Sequence, residues 1–233
     1  MSKDRTARTS LLPRFTWWDW FLISGFAAVS IAASLLKGDF RLLSFTGGLC
    51  SVLCVIFGAK GSRINFLFGL AGSLIQGFIA WSSGLYAYAA LFLLYNVPMQ
   101  FIGFSQWRKR HSESAEHGIK TRWMSWWQRL MLAILSSAGV ILIHFMLLKT
   151  GDSQPWSDAL ATTVAIAAQL LLTFAFIEQW FMWIIVNAST IVMWSVACFR
   201  GEPYALIMLI QSIFYMMNSI YGIILWSRME KKE

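Results

Sequence analysis

Eight apolar runs of about 20 residues follow one another along this chain, and they set its fold class before any motif is considered. They cover approximately residues 17–36, 40–59, 64–83, 85–107, 128–148, 158–177, 180–199 and 203–227. Each is long enough to cross a bilayer core as a tilted helix. Backbone polar groups in lipid must be satisfied within their own segment, so such runs are helices. Charged residues are only 13% of the 233, about half the share of a soluble domain. The expected fold is an all-α integral membrane protein with about eight transmembrane helices and no large soluble domain. Tight turns are expected near Ser83–Gly84 and Glu178. The first run exceeds the about 7–15 apolar residues of a signal peptide and reads as a retained helix.

The net charge of +8 does not point to nucleic acid, because the basic residues lie in short loops between apolar runs. With eight spans, fifteen of the 19 Lys and Arg fall on one side: Lys3, Arg5, Arg8, Arg14, Lys60, Arg63, Arg108, Lys109, Arg110, Lys120, Arg122, Arg129, Arg228, Lys231 and Lys232. Lys37, Arg41, Lys149 and Arg200 fall on the other. The positive-inside rule then places both termini in the cytoplasm and the chain in the inner (cytoplasmic) membrane. The stretch 108–126 is the one substantial polar segment; His111 and His117 read as solvated loop residues, with an amphipathic run on the inner leaflet as the alternative. Cys50, Cys54 and Cys198 form no CxxC pair and read as packing residues, without disulfide or metal.

An internal repeat is legible. Aligning Trp107 with Trp226 brings Gly103 onto Gly222, Gln100 onto Ser219 and Asn96 onto Tyr215, and one helix earlier Asn65 falls opposite Asn187. The chain then divides into an N-terminal tail and extra helix (1–39), a three-helix unit (40–107), a basic cytoplasmic loop with a linking helix (108–157), a second three-helix unit (158–227) and a short cytoplasmic tail (228–233). A three-helix unit ends on the side opposite its start, so one linking helix lets the second unit begin in the same orientation. The expectation is a parallel 3+1+3 pseudo-repeat, as in SWEET transporters.

Polar residues at membrane depth face a cavity or another helix. At helical spacing four stripes emerge: Asn65, Gly69, Gly72 and Gln76; Asn96, Gln100 and Gly103; Trp180, Trp183, Asn187 and Trp194; Gln211, Tyr215, Asn218 and Gly222. For Asn65, Gln76 and the glycines, helix packing is a sufficient account. The stripe with Trp180, Trp183 and Asn187 suits a ligand better, since large indoles pack helices poorly but stack on a flat ring while an amide orients it. No carboxylate sits deep in a run, as a proton- or sodium-coupled carrier commonly requires. No Walker motif, HExxH or GxSxG is present, so neither ATP hydrolysis nor catalysis is indicated. His144 reads as a packing histidine, and no cofactor is expected.

The segment EQWFMWIIVN contains Trp180-x-x-Trp183-x-x-x-Asn187, which resembles the WxxWxxxN signature of the PnuC-type nicotinamide riboside transporters. QFIGFSQWRKR and YMMNSIYGIILW are similar to that family too, and the resemblance spans roughly 40–227. It implies a SWEET-like 3+1+3 core and uptake of a vitamin-type nucleoside without ion coupling. The substrate would then be trapped by a cytoplasmic riboside kinase. It implies that Trp180, Trp183 and Asn187 sit at the ligand; helical spacing adds Gln211, Tyr215 and Asn218, with Asn96 and Gln100 from the first unit. Aromatic faces can hold a pyridinium without a carboxylate, whereas a phosphate lacks a membrane Arg or Lys to pair with.

Alternatives remain open at this level. Thiamine and riboflavin are carried by relatives in the same family. A sugar facilitator also stacks its ligand on Trp, and Ala28-x-x-x-Ala32 would serve a substrate-binding subunit of an energised vitamin importer. A homo-oligomer is compatible with the sequence, which does not set the number of copies.

Overall fold

The computed structural model describes residues 13–37, 42–82, 91–113, 119–149, 154–201 and 205–230. They form eight helices: α1 (Trp17–Lys37), α2 (Leu42–Ala59), α3 (Asn65–Ser82), α4 (Val97–Glu113), α5 (Trp126–Leu148), α6 (Pro155–Thr173), α7 (Gln179–Phe199) and α8 (Ala205–Glu230). Five of them (α1 and α5–α8) are long and apolar enough to cross a membrane; α2 and α3 contribute shorter apolar stretches. The turn expected near Ser83–Gly84 lies outside the described residues, as does His117. α4 runs on through the basic stretch to Glu113.

A π-helical stretch, Leu91–Asn96, leads into α4. Pro98 follows directly, and a proline cannot accept the standard geometry because its ring meets the carbonyl four residues back. The wider turn accommodates it. Tyr95 in this stretch donates its hydroxyl to the Ile166 carbonyl of α6 at 2.8 Å.

α1 and α5 begin alike. Thr16-Trp17-Trp18-Asp19 and Ser125-Trp126-Trp127-Gln128 both place a hydroxyl residue at the cap and an acceptor three positions on. Asp19 Oδ2 accepts from the Thr16 N–H at 2.5 Å and the Thr16 hydroxyl at 2.7 Å. Ser125 and Gln128 exchange bonds of 2.9 and 3.4 Å in a capping box. Such caps satisfy the donors that open a helix.

The packing of α1–α4 is echoed by that of α5–α8. α2 packs on α3 as α6 does on α7; α3 packs on α4 as α7 does on α8; α1 packs on α2 as α5 does on α6. The two sets meet through α2 against α8 and α4 against α6. α1 also touches α8, whereas α5 touches α6 alone among the described helices.

The echo extends to single hydrogen bonds. At the end of α2, Gly61 (φ +65°) donates to Gly58 O at 3.0 Å and Ser62 to Phe57 O at 2.9 Å. At the end of α6, Ala175 (φ +55°) donates to Leu172 O at 3.0 Å and Phe176 to Leu171 O at 2.9 Å. These are the two bonds that close a helix on a left-handed residue. The next turns match as well, Asn65 N–H to Ser62 O and Gln179 N–H to Phe176 O. The backbone therefore sets Asn65 opposite Gln179 and Phe66 opposite Trp180, and the expected pairing of Asn65 with Asn187 is off by two turns.

One end of the bundle gathers the basic loops. Lys60 forms an ion pair with Asp19 at 2.8 Å and donates to Arg14 O at 2.9 Å. Arg129 at the start of α5 pairs with Glu178 before α7 at 2.7 Å. The segment 119–125 crosses this end, bonded to the α6–α7 turn at Ala175 O and Ile177 N.

Candidate functional site

α7 turns two faces. Phe181, Ile185 and Val192 are exposed, as lipid-facing apolar residues should be. Trp180 and Asn187 are 3% exposed on the other face, with Trp183 between them, partly buried against the core. Helical spacing alone produces this division.

From Asn187 a polar line runs onto α8. Asn187 Nδ2 donates to Ser219 Oγ at 3.1 Å, and the Ser219 hydroxyl donates to Tyr215 O at 2.8 Å. Gln211 donates its amide to the Tyr215 hydroxyl. Asn218, 1% exposed, donates to Val55 O of α2 at 3.0 Å, and its Oδ1 has no partner. That buried acceptor carries an unmet hydrogen-bonding demand.

The candidate residues ahead of α5 gather differently. Gln100, 7% exposed, leans over Gly69: a Cβ there would fall 2.4 Å from Gln100 Oε1 and 3.1 Å from Cys54 Sγ. Gly69 is thus a notch that admits the amide. Asn96 is half-buried at the last position of the π-helical stretch. Residues 54 and 55 of α2 connect the two groups, Cys54 beside Gln100 and Val55 bonded to Asn218.

Trp180 stands apart from this polar line. A Cβ on Gly222 would meet three atoms of its ring at 2.6 Å, and the ring stands edge-on to Trp226 with centroids 5.6 Å apart. Its ring is wedged between Gly222 of α8 and Trp226, one helical turn before Trp183. Ser219 and Gly69 complete the surroundings and were not singled out from spacing as ligand groups. The usable signal was the alignment of Ser219 with Gln100.

Charge is sparse here. α2, α3 and α7 contain no Lys, Arg, Asp or Glu, and α8 has only Arg228 and Glu230 at its end. No group of three or more metal-ligating side chains occurs among the described residues. Two open grooves, of about 420 and 520 Å³, lie along α6–α7 and α5–α7. Neither is lined by any of the eight candidate residues. His144 stands edge-on to Trp156 at 4.8 Å, a contact between α5 and α6.

The comparisons with known proteins converge. The nicotinamide mononucleotide transporter family model matches residues 41–228. The nicotinamide riboside transporter PnuC of Neisseria mucosa is 33% identical over 216 residues, 91% of this chain and 81% of that one. Its counterpart in Haemophilus influenzae is 29% identical over 193 residues, 82% of this chain and 81% of that one. A crystal structure of the vitamin B3 transporter PnuC superposes with a TM-score of 0.79 at 31% identity, covering 95% of each chain. The all-helical membrane fold and the sequence agree, and the chain belongs to the nicotinamide mononucleotide transporter (PnuC) family.

Proposed function

We propose that this chain carries nicotinamide riboside across the inner membrane by facilitated diffusion. The site is the α7–α8 polar line with Trp183 above it. The observation that carries this reading is the partly buried indole of Trp183 one turn before Asn187, which bonds Ser219 on α8, beside a residue, Asn218, whose Oδ1 is unpartnered. A pyridinium ring stacks on Trp183, where a cation–π contact contributes about 0.5–2 kcal/mol. Asn187, Asn218 and Gln211 meet the carboxamide and ribose hydroxyls, with Tyr215. Gln100 and Asn96 approach from the first unit, and Trp180 supports the ring from below. The relatives' name, nicotinamide riboside transporter, supports the substrate.

The family's description favours the mononucleotide as a second reading. The helices around the site weigh against it, because a buried phosphate needs a cationic partner and α2, α3 and α7 supply none. The same lack of buried charge favours an uncoupled carrier that works by alternating access of two three-helix units, 40–107 and 158–227. Such a carrier only equilibrates its ligand, so net uptake depends on a cytoplasmic riboside kinase. Both termini then lie in the cytoplasm, on the side rich in Lys and Arg. The chain itself performs no chemistry.

Calorimetry on the purified protein tests the reading, with the riboside, the mononucleotide, thiamine and riboflavin compared side by side. Binding of the riboside alone, lost in Trp183→Ala, is the expected result. Binding of the mononucleotide with equal affinity would overturn the charge argument. Thiamine or riboflavin binding would reassign the substrate within the family.

A further inference from the structure

Four aromatic residues close the basic end of the bundle where the two units meet. Phe66 stands edge-on to Trp107 at 4.9 Å, Trp107 lies 5.9 Å from Trp226, and Trp226 meets Trp180 at 5.6 Å. None is more than 3% exposed. The four come from α3, α4, α8 and α7, two from each unit.

Two indole N–H donors lock this cluster, and each reaches across between units. The Trp107 indole N–H donates to Leu172 O at the end of α6 at 3.1 Å. The Trp226 indole N–H donates to Gly58 O and Ala59 O at the end of α2, both at 3.1 Å. Gly58 and Leu172 are the corresponding carbonyls of the two helix ends. The last helix of each unit is thus fastened to the first helix of the other.

A strap lies over the cluster. Ile119 (2% exposed) reaches Gly61, and Thr121 (4% exposed) donates to Trp226 O at 3.4 Å. Arg122 bonds the α6–α7 turn through both its N–H and its carbonyl. Residues 119–122 therefore touch both turns at the unit boundary.

One feature opposes this closure. Asn65 and Gln179, in corresponding places beside Phe66 and Trp180, are 1% and 0% exposed, and neither amide has a partner. Buried amides without hydrogen bonds are costly. Parting the two units at this end would wet both amides while breaking both indole bonds. Such opposed terms give two states of similar free energy.

We propose that Trp107 and Trp226, backed by Phe66, Trp180 and the strap 119–122, form the cytoplasmic gate of the carrier and that it is shut in this conformation. This rests on the carrier reading above, with the side assigned from the Lys and Arg asymmetry. The site residues Asn187 and Ser219 lie two turns further in along α7 and α8.

The test uses the full chain in inside-out vesicles, with Cys50→Ala and Cys198→Ala leaving Cys54, beside Gln100, as reporter for a membrane-impermeant thiol reagent. Trp107→Phe with Trp226→Phe keeps the rings and removes both donors. Losing two neutral hydrogen bonds shifts the closed–open balance by about thirtyfold, and labelling accelerates to match. In a second arm, Trp107→Cys and Trp226→Cys in a background free of other cysteines are joined by a short bis-methanethiosulfonate, which links the two thiols through reducible disulfides. Riboside uptake into proteoliposomes then stops and returns on reduction. Unchanged labelling in a monodisperse Phe double variant overturns the gate. So does acceleration seen only in right-side-out vesicles, or undiminished uptake in the joined protein. Labelling uses no riboside, so accelerated labelling without riboside binding supports the gate and sinks the substrate reading alone.

Discussion

Gly222→Ala is the most searching single substitution, because one methyl group would have to enter the contact between α8 and Trp180. Its Cβ would lie 2.6 Å from three atoms of the indole ring, whereas carbon atoms rest about 3.5–4.0 Å apart. The ring or the helix must give by about 1 Å. Trp180 has little freedom to do so: it is 3% exposed, and its other side meets Trp226 edge-on. Overpacking of this kind costs about 1–3 kcal/mol. For a chain of this size each kcal/mol lowers the melting temperature by about 2–4 °C. The expected fall is about 2–12 °C, read as the loss of the monodisperse gel-filtration peak after heating in detergent. Trp180→Phe shrinks the ring and makes room, so the double variant should be more stable than the two single costs added, by about 1 kcal/mol or more. The glycine at the corresponding place provides a second case, since a Cβ on Gly103 would fall 2.2 Å from Phe66. A Gly222→Ala protein that melts with the unchanged chain would refute the reasoning. So would strictly additive effects in the cycle.

Lys60→Met strands Asp19, whose side chain is 1% exposed, and should destabilise by about 3–5 kcal/mol. Pairing it with Asp19→Leu should restore most of that, measured by the same heating assay. Arg129→Ala removes a partner that is half exposed, so the loss should stay within about 1 kcal/mol; Glu178 keeps the Met124 N–H at 3.0 Å. Gly61→Ala forces a side chain onto φ +65° with Ile119 at 3.1 Å and should cost about 1–2 kcal/mol. Asn187→Ala removes both the proposed ligand contact and the bond to Ser219, whereas Ser219→Ala removes only the latter. Calorimetry should show a much larger loss of riboside affinity for Asn187→Ala, and equal losses would argue for a packing role.

Helix count was legible because apolar length is a coarse property of composition and does not depend on which residue meets which. The pairing of Trp107 with Trp226 and Gly103 with Gly222 was legible for a different reason: bulky and minimal side chains leave a strong pattern, and both glycines lie under a ring. Asn65 was set opposite Asn187 because like residues attract alignment. The backbone pairs it with Gln179 instead, through turns built on chemically unlike residues, Gly61 and Ala175. Left-handed backbone at an alanine leaves no sequence mark. The candidate site shows a similar split. Spacing placed Trp180, Trp183 and Asn187 on one inward face, but the depth of each was hidden. Whether an inward indole borders a cavity or fills a crossing depends on the partner helix, here on Gly222. The strap 119–122 was hidden because its hold comes from backbone bonds, which any residues can make.

The crosswise fastening of Trp107 to α6 and Trp226 to α2 bears on how the protein is made. Trp226 is synthesised more than 160 positions after the carbonyls that its indole bonds. Helices enter the membrane in order, so α2 waits through the insertion of every later helix before its end is capped. Contacts so distant in sequence are slow to form, since a long loop must close first. Until α8 has left the ribosome and inserted, that seam stays unsewn whatever the earlier helices have done. Trp226→Ala should therefore lengthen the time for which a newly inserted chain stays sensitive to quality-control proteases, although every apolar run is intact.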